Sequence, residues 1–375
     1  MEAPEDLAYW IAWHRSPKMG ATRFAHLRRA FPSLKDAWHA KAIDLKQIGF
    51  DDNLVQELIL HRQQTNIEKS WQQINELNLN VVTVADDNYP NLLKQISDPP
   101  PLLYYRGNWS CLDYPALAAV GSRQITSYGQ QAVAKLIPAL AQSGLTIVSG
   151  LAYGVDAACH QATLQAGGKT AGVLACGLDQ IYPAANRYLA QKIIDSGGLL
   201  LTEFPPGVMP LTHHFPLRNR IIAGLCRATL VIEAAAVSGA LITAKLALEY
   251  NREVFAVPGN INAPGSVGTN ELIKLGAMPA LTADDILSAY NLTAATPAQA
   301  RPTLDKLSEQ ILKLIVDEPL HSDDIARALS LPAGDIIAKL TLLEVAGLIK
   351  DSAIYISRAT LSNKPGGLAT LVPQC

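Results

Sequence analysis

The sequence lacks the features that would place it in a membrane, in an oxidising compartment or among strongly basic proteins. It has no run of about 18 apolar residues, which a membrane-spanning helix would need. The N-terminus carries Glu2, Glu5 and Asp6 where a signal peptide would have an apolar segment. The five cysteines are odd in number and none has CxxC spacing, so we expect reduced cysteines in a cytoplasmic protein. Basic and acidic residues nearly balance, 31 against 33, so any anion site must be local.

Familiar nucleotide and metal motifs are missing as well. Gly167-Gly168-Lys169-Thr170 resembles the end of a P-loop, but the first glycine of that motif would fall at Thr163, and the lysine precedes a strand. No GxGxxG follows Gly121 or Gly150, so a dinucleotide cofactor has no support. His213-His214 has no cysteine or carboxylate at ligand spacing. We therefore expect neither a cofactor nor a metal.

Residues 116–290 alternate short apolar runs with helical patterns. This alternation is typical of a Rossmann-like α/β core, a doubly wound and mostly parallel sheet covered on both faces. The predicted strands are Leu117–Val120, Leu145–Ser149, Thr170–Ala175, Leu199–Thr202, Thr229–Glu233 and Glu253–Val257. The predicted helices are Ser127–Gln142, Val155–Gln165, Ala184–Ser196 and Ser238–Tyr250. A connector, 76–115, is predicted to add strands at Val81–Val84 and Leu102–Tyr105. The second of these strands is a candidate for the edge of the main sheet.

A small all-α domain of the SAM-like or helix-hairpin-helix-like kind is predicted over residues 1–75. Its helices are Leu7–Trp13, Thr22–Phe31, Leu34–Lys41 and Leu54–Ser70. Met19-Gly20-Ala21 is a candidate for a glycine turn that contacts a DNA backbone. A plain packing or dimerisation module is the interpretation we favour.

The C-terminal part predicts a linker (291–302), a winged-helix domain (303–358) and a tail (359–375). Helical patterns at Leu304–Val316, His321–Leu329 and Gly334–Ala346 precede a hairpin around Asp351-Ser352. Residues 303–358 contain six basic and nine acidic residues, and the recognition helix offers only Lys339. Such a surface would repel phosphates, so we favour a protein-interaction or regulatory role over duplex binding.

The strongest candidate site lies where the first core strand ends. Gly121-Ser122-Arg123 forms a turn before the helix that starts at Ser127, and free turn amides with a helix N-terminus favour anions. His213–Leu225 adds basic residues inside a stretch that has no acid between Glu203 and Glu233. Two alternatives stay open: Arg218 or Arg220 could pair with Glu203 or Glu233, and Phe215 could belong to the core.

Several runs of residues resemble the DNA-processing protein DprA (Smf) family. They are Ala119–Arg123, Val148–Asp156 with Ala158 and His160, Gly177–Asp179 with Tyr182-Pro183, Glu203 with Pro205, Phe215–Leu225, Ser238–Ala244, Pro258-Gly259 and Gly268–Asn270. The helical N-terminal part and the winged helix match too, so the resemblance covers nearly the whole chain. One departure is Ala240, where the family often has serine.

The resemblance implies a cytoplasmic single-stranded DNA-binding protein of natural transformation. Such proteins protect incoming strands, load the recombinase RecA and form homodimers through the core, with no cofactor and no established catalysis. The implied binding residues are Gly121, Ser122, Arg123, Phe215, Arg218, Asn219 and Arg220, with Lys169 and Lys245 as possible additions. Turn amides and arginines would hold phosphates, and Phe215 would stack on a base.

Two rival functions remain at this point. The glycine turn and the Ser238–Thr243 helix start resemble lysine-decarboxylase-like nucleoside-monophosphate phosphoribohydrolases, in which Glu203 or Glu233 would act as the acid. The P-G-G-x-G-T signature of those enzymes is missing before Ala240. A transcription regulator acting through the winged helix is the other alternative.

Overall fold

The computed structural model describes residues 6–16, 18–293, 305–315, 320–345, 349–351 and 356–358. The chain divides into two compact units, Met1–Thr296 and Pro297–Cys375. Most of the predicted linker, the tip of the predicted wing and the whole tail lie outside the described residues.

Six helices open the first unit. They are α1 (Leu7–His14), α2 (Ala21–Ala30), α3 (Leu34–His39), α4 (Ala42–Gln47), α5 (Asp52–Gln64) and α6 (Ile67–Glu76). The prediction of one helix over Leu54–Ser70 is wrong, because α5 ends at Gln64 and a separate helix, α6, begins at Ile67. The side chain of Asn66 accepts a hydrogen bond from the Lys69 amide at 2.8 Å and so begins a new helix.

A nine-stranded mixed sheet forms the centre of this unit. Its strands are β1 (Asn80–Thr83), β2 (Leu102–Gly107), β3 (Ala116–Val120), β4 (Thr146–Ser149), β5 (Thr170–Val173), β6 (Leu199–Thr202), β7 (Ala228–Val231), β8 (Glu253–Ala256) and β9 (Met278–Pro279). The order is β1-β2-β6-β5-β4-β3-β7-β8-β9. β1 is an edge strand, and β2 lies between β1 and β6 and is antiparallel to both; the strands from β6 to β9 in that order pair in parallel. The Rossmann-like fold class is thereby confirmed.

Helices cover both faces of the sheet. They are α7 (Asn91–Lys94), α8 (Ser127–Gln142), α9 (Val155–Gln165), α10 (Arg187–Asp195), α11 (His214–Leu225), α12 (Gly239–Glu249), α13 (Val267–Lys274) and α14 (Ala283–Leu287). Leu117 and Ala119 of β3 pack with α8 and α9, while Ala118 and Val120 face α11 and α12. This alternation follows from the twofold side-chain period of a strand. The predicted α8 and α9 match residue for residue.

The N-terminal helices share a hydrophobic core with the sheet. Buried Trp10 and Trp13 belong to the same cluster as Tyr104 of β2 and Leu200 of β6. Arg15 also donates a hydrogen bond to the Pro206 carbonyl at 3.3 Å. The helices are thus a packed layer of the first unit, and Gly20 caps α2 beside buried Met19.

The sheet reverses its direction of winding between β3 and β7. From β3 the chain adds β4, β5 and β6 on one side, and it then returns to place β7 and β8 on the other. Ligands of open α/β sheets bind beyond the carboxyl ends of the strands at such a switch point. The turn that begins at Gly121 and the turn that opens α12 both lie there.

The second unit is a winged helix. Its elements are α15 (Lys306–Leu314), α16 (Ser322–Leu329), α17 (Ala333–Val345) and the antiparallel pair β10 (Ile349–Asp351) and β11 (Ile356–Arg358). Ile311, Ile325 and Ile336 form its own core. Lys339 of the recognition helix α17 pairs with Asp305 at 2.5 Å, so its charge is already neutralised.

The four described cysteines are buried and unpaired, as predicted for core positions. Burial raises the pKa of Cys111 to about 12 and that of Cys176 to about 11, which makes both thiols unreactive. Within the described part of the chain, every helix is too short or too polar to cross a membrane.

Candidate nucleic-acid-binding site

An open pocket of about 620 Å³ lies at the switch point. Six segments line it: the turn after β3, the loop after β4 with the start of α9, the loop after β5, the loop after β6, α11, and the turn that opens α12. Of the predicted site residues, it brings together Gly121, Ser122, Arg123, Phe215, Arg218 and Asn219.

Arg123 and Phe215 form the mouth of the pocket. The Arg123 guanidinium is exposed and lies 4.8 Å from the centroid of the Phe215 ring. Phe215 is only half-buried, so it is not a core residue. A cation held on an aromatic face can bind a phosphate while the ring stays open to stacking.

Two exposed tyrosines extend this aromatic surface, and the sequence analysis did not assign them to the site. Tyr182 meets Phe215 edge to face with ring centroids 5.9 Å apart. Tyr182 and Tyr153 line a smaller adjoining cavity of about 90 Å³. Both stand in the motif runs that carry the family resemblance, and that was the signal available in the sequence.

The turn after β3 does not offer its amides to a ligand in the expected way. The Ser122 amide donates to the Glu233 carbonyl at 2.8 Å, and the Ser122 hydroxyl donates to the Gln124 carbonyl at 2.9 Å. At the start of α8, the Thr126 amide donates to the Glu233 carboxylate at 3.0 Å. The anion at this helix N-terminus is therefore the buried Glu233 of the protein itself, and our expectation of a free anion site there was wrong.

Glycines let the loop after β4 pack directly beneath this turn. Gly154 has a φ of +73°, and a Cβ there would collide with the Ser122 carbonyl oxygen. A Cβ on Gly121 would lie 2.6 Å from Cγ2 of Val155. Only glycine fits both contacts, and together they fix the backbone from which Arg123 projects.

The same loop contains a strained residue that buried polar groups hold in place. Leu151 is fully buried with a φ of +54°, an unfavourable conformation for a bulky residue. The Asp156 carboxylate accepts hydrogen bonds from the amides of Gly150 (3.1 Å) and Ala152 (3.3 Å). Asn186 donates to the Leu151 carbonyl at 2.9 Å. Burial raises the pKa of Asp156, and the neighbouring Arg218 guanidinium opposes that shift.

Arg218 and Asn219 form the inner wall of the pocket. Arg218 is 4% exposed and donates to the Gly150 carbonyl at 2.6 Å, to the Val173 carbonyl and to Oδ1 of Asn219 at 3.1 Å. Asn219 in turn donates to the Gly239 carbonyl at 3.3 Å. Burial lowers the pKa of Arg218 to about 10, so it stays charged at neutral pH. These two side chains join the loops around the pocket and give its wall a positive charge.

Arg220 lies outside the pocket. Its guanidinium contacts both carboxylate oxygens of Glu203 at 2.5 Å and the Asp98 carbonyl at 2.8 Å. Arg218 and Arg220 project from opposite flanks of α11. Arg218 lines the pocket, whereas Arg220 lines a separate cavity together with Glu203. The alternative that pairs it with Glu203 is the arrangement observed.

The two additional lysines are also elsewhere. Lys169 precedes β5 and lies at the amino end of the sheet, 5.2 Å from the ring centroid of Tyr114. Lys245 lies on the outer face of α12, where its side chain is 78% exposed and 3.9 Å from Glu249. Neither lines the pocket.

The two acids named for the hydrolase alternative are not at the pocket. Glu203 is bound to Arg220, and Glu233 is buried against Thr126. Asp156 is the one acid that lines the pocket, and its Oδ2 accepts two loop amides. His214, half of the histidine pair, stacks on Phe204 with centroids 4.2 Å apart. The described residues contain no cluster of three metal-ligating side chains.

Fold and site define a Rossmann-like α/β protein with a cationic and aromatic pocket at its switch point, joined to a winged helix. The family model of DNA recombination-mediator protein A matches residues 80–291, and that of the DprA winged-helix domain matches residues 280–353. The chain belongs to this DprA family.

Individual relatives support the assignment. Protein Smf from a Synechocystis species is 36% identical and covers 92% of this chain and 97% of its own length. DNA processing protein DprA from Streptococcus pneumoniae is 42% identical over 66% of this chain and 92% of its own.

Two solved structures are similar as well. An X-ray structure of the Streptococcus pneumoniae protein has a TM-score of 0.66 at 37% identity, covering 77% of this chain and 98% of that one. A structure of DNA processing protein A from Helicobacter pylori, which concerns a unique single-stranded DNA binding mode, has a TM-score of 0.52 at 32% identity, covering 57% of this chain and 95% of that one.

Proposed function

We propose that this protein binds single-stranded DNA in the switch-point pocket. The observation that carries the proposal is the exposed Arg123 guanidinium stacked on the half-buried Phe215 ring at the pocket mouth. A base can stack on this aromatic surface only when it is unpaired, and Arg123 lies beside the ring to hold the adjoining phosphate. The related Helicobacter pylori protein, whose solved structure concerns single-stranded DNA binding, supports the same ligand class.

The cellular role we propose is that of the family: protection of incoming single strands in the cytoplasm during natural transformation and loading of RecA onto them, by a homodimer. We also propose that the protein acts without catalysis. The position of Glu203 and Glu233 away from the pocket supports this, because these are the two acids that the hydrolase alternative would use to cleave a glycosidic bond.

For the winged helix we propose a protein-interaction or regulatory role. Residues 303–358 carry more acids than bases, and Lys339 on the recognition helix is paired with Asp305. Duplex binding would require unpaired cations on this helix to neutralise phosphates.

A salt titration of oligonucleotide binding tests the pocket. Wild type should prefer single strands to duplex, and Arg123→Ala should weaken binding and reduce the salt slope by about 0.7, the value for one lost phosphate contact on a single strand. Arg29→Ala is the matched control, because Arg29 is an exposed arginine of α2 that does not line the pocket. Equal affinity of Arg123→Ala and wild type would refute the pocket as the binding site.

A further inference from the structure

An exposed tyrosine with basic neighbours lies on α10, beyond the mouth of the pocket. The Tyr188 side chain is 73% exposed, and the Lys192 ammonium lies 4.6 Å from its ring centroid. Arg187, the first residue of the helix, is exposed as well. No acid occurs from residue 180 to residue 194; the nearest one, Asp195, ends the helix and accepts a hydrogen bond from the Gln191 side chain at 2.8 Å.

The packing of α10 directs these side chains outward. Leu189, Ala190 and Ile193 are buried and form its inner face. Arg187, Tyr188 and Lys192 lie on the remaining surface of the helix. A tyrosine at this degree of exposure contributes nothing to the core and is available to a ligand.

The start of α10 is physically joined to the pocket. Asn186 donates to the carbonyls of Leu151 (2.9 Å) and Ala152 (3.2 Å), in the loop that carries Tyr153. Tyr182, six residues before Tyr188, meets Phe215 at the pocket mouth. Six residues span at most about 20 Å, and single-strand sites commonly extend over several nucleotides.

Aromatic faces next to cations are the pattern that binds single-stranded nucleic acid, because every base has a face and every linkage a phosphate. We propose that a strand leaving the pocket over Tyr182 continues to α10, where a base stacks on Tyr188 and a phosphate lies between Arg187 and Lys192. This second stacking site rests on the proposed function of the pocket. It makes affinity depend on strand length, since only a longer strand reaches both sites.

Oligothymidylates from about 4 to about 16 nucleotides test this with the full chain. Tyr188→Ala should bind the longest strand roughly fivefold or more weakly than wild type, the loss of one stacked base, and should match wild type on the shortest strand the pocket binds. Tyr188→Phe should restore long-strand affinity, since the ring remains.

Tyr114→Ala is the matched control. Tyr114 is 48% exposed beneath a lysine, like Tyr188, but it lies at the amino end of the parallel strands, away from the pocket at their carboxyl ends. Wild-type affinity of Tyr188→Ala at every length, or an equal loss in Tyr114→Ala, would overturn the second site. If Arg123→Ala loses binding while Tyr188→Ala keeps it, only the second site is refuted. If wild type binds no single strand, the pocket and the second site are both refuted.

Discussion

Arg218 and Arg220 look equivalent in the sequence, but in the structure Arg218 lines the pocket and Arg220 is paired with Glu203. The variant Arg220→Met tests whether Arg220 contributes to stability and not to DNA binding. Arg220 is 8% exposed and Glu203 is 14% exposed at the side chain. Removing one partner of such a buried pair leaves the other charge unpaired, which costs about 3–5 kcal/mol. Burial already raises the pKa of Glu203, and Arg220 opposes that shift.

The expected result is a loss of about 3–5 kcal/mol in the free energy of unfolding, measured by urea denaturation and circular dichroism. The affinity of the folded fraction for single-stranded DNA should stay close to wild type. Glu203→Gln combined with Arg220→Met should recover part of the stability, because the unpaired charge is gone. Arg123→Ala should behave in the opposite way: a stability change within about 0.5 kcal/mol, as for an exposed residue, and weak binding.

The reasoning would be refuted by an Arg220→Met variant that keeps wild-type stability and loses single-strand affinity to the extent that Arg123→Ala does. That result would make Arg220 a ligand of DNA and would move the binding surface to the opposite flank of α11.

Three further outcomes are expected. Gly154→Ala should lower stability by about 2 kcal/mol in thermal melting, because a positive φ is strained for alanine. It should also weaken single-strand binding measured by fluorescence anisotropy, because the new Cβ would displace the turn that carries Arg123. His160→Leu should make the free energy of unfolding depend less on pH. Burial lowers the pKa of His160 from 6.5 to about 3, so between pH 7 and pH 5 wild type should lose about 2 kcal/mol of stability through this group, and the variant should not. If urea midpoints measured at both pH values fell equally in the two proteins, His160 would titrate freely in the folded state and the reasoning would be wrong. A chain ending at residue 296 should keep wild-type single-strand affinity and salt slope, because the pocket lies in the first compact unit; a large loss of affinity would assign binding to the winged helix.

The parallel core could be predicted from sequence because its signal is local. The buried and mostly apolar runs at β3, β4, β5 and β7, each followed by a predicted helix, leave few alternatives to a covered parallel sheet, whereas α11 after β6 was not predicted as a helix. The boundaries that failed depend on single side chains or on distant packing. The break between α5 and α6 is made by the Asn66 cap, and the union of the N-terminal helices with the sheet depends on contacts such as Trp13 with the cluster around Tyr104.

The candidate pocket could be placed at the switch point from sequence, but the sequence could not tell which residues face the pocket and which support its walls. Which flank of α11 faces the pocket is set by packing, and Glu203 becomes the partner of Arg220 only because β6 ends beside that helix. The N-terminus of α8 does bind an anion, as expected for a helix start. That anion is the buried carboxylate of Glu233, whereas the sequence had suggested an external ligand. No pattern around Gly121-Ser122-Arg123 could predict this contact, because 107 residues separate Glu233 from Thr126. Arg123 is left as the exposed cation of the pocket because these internal charges satisfy one another, and its substitution is therefore the most direct test of binding.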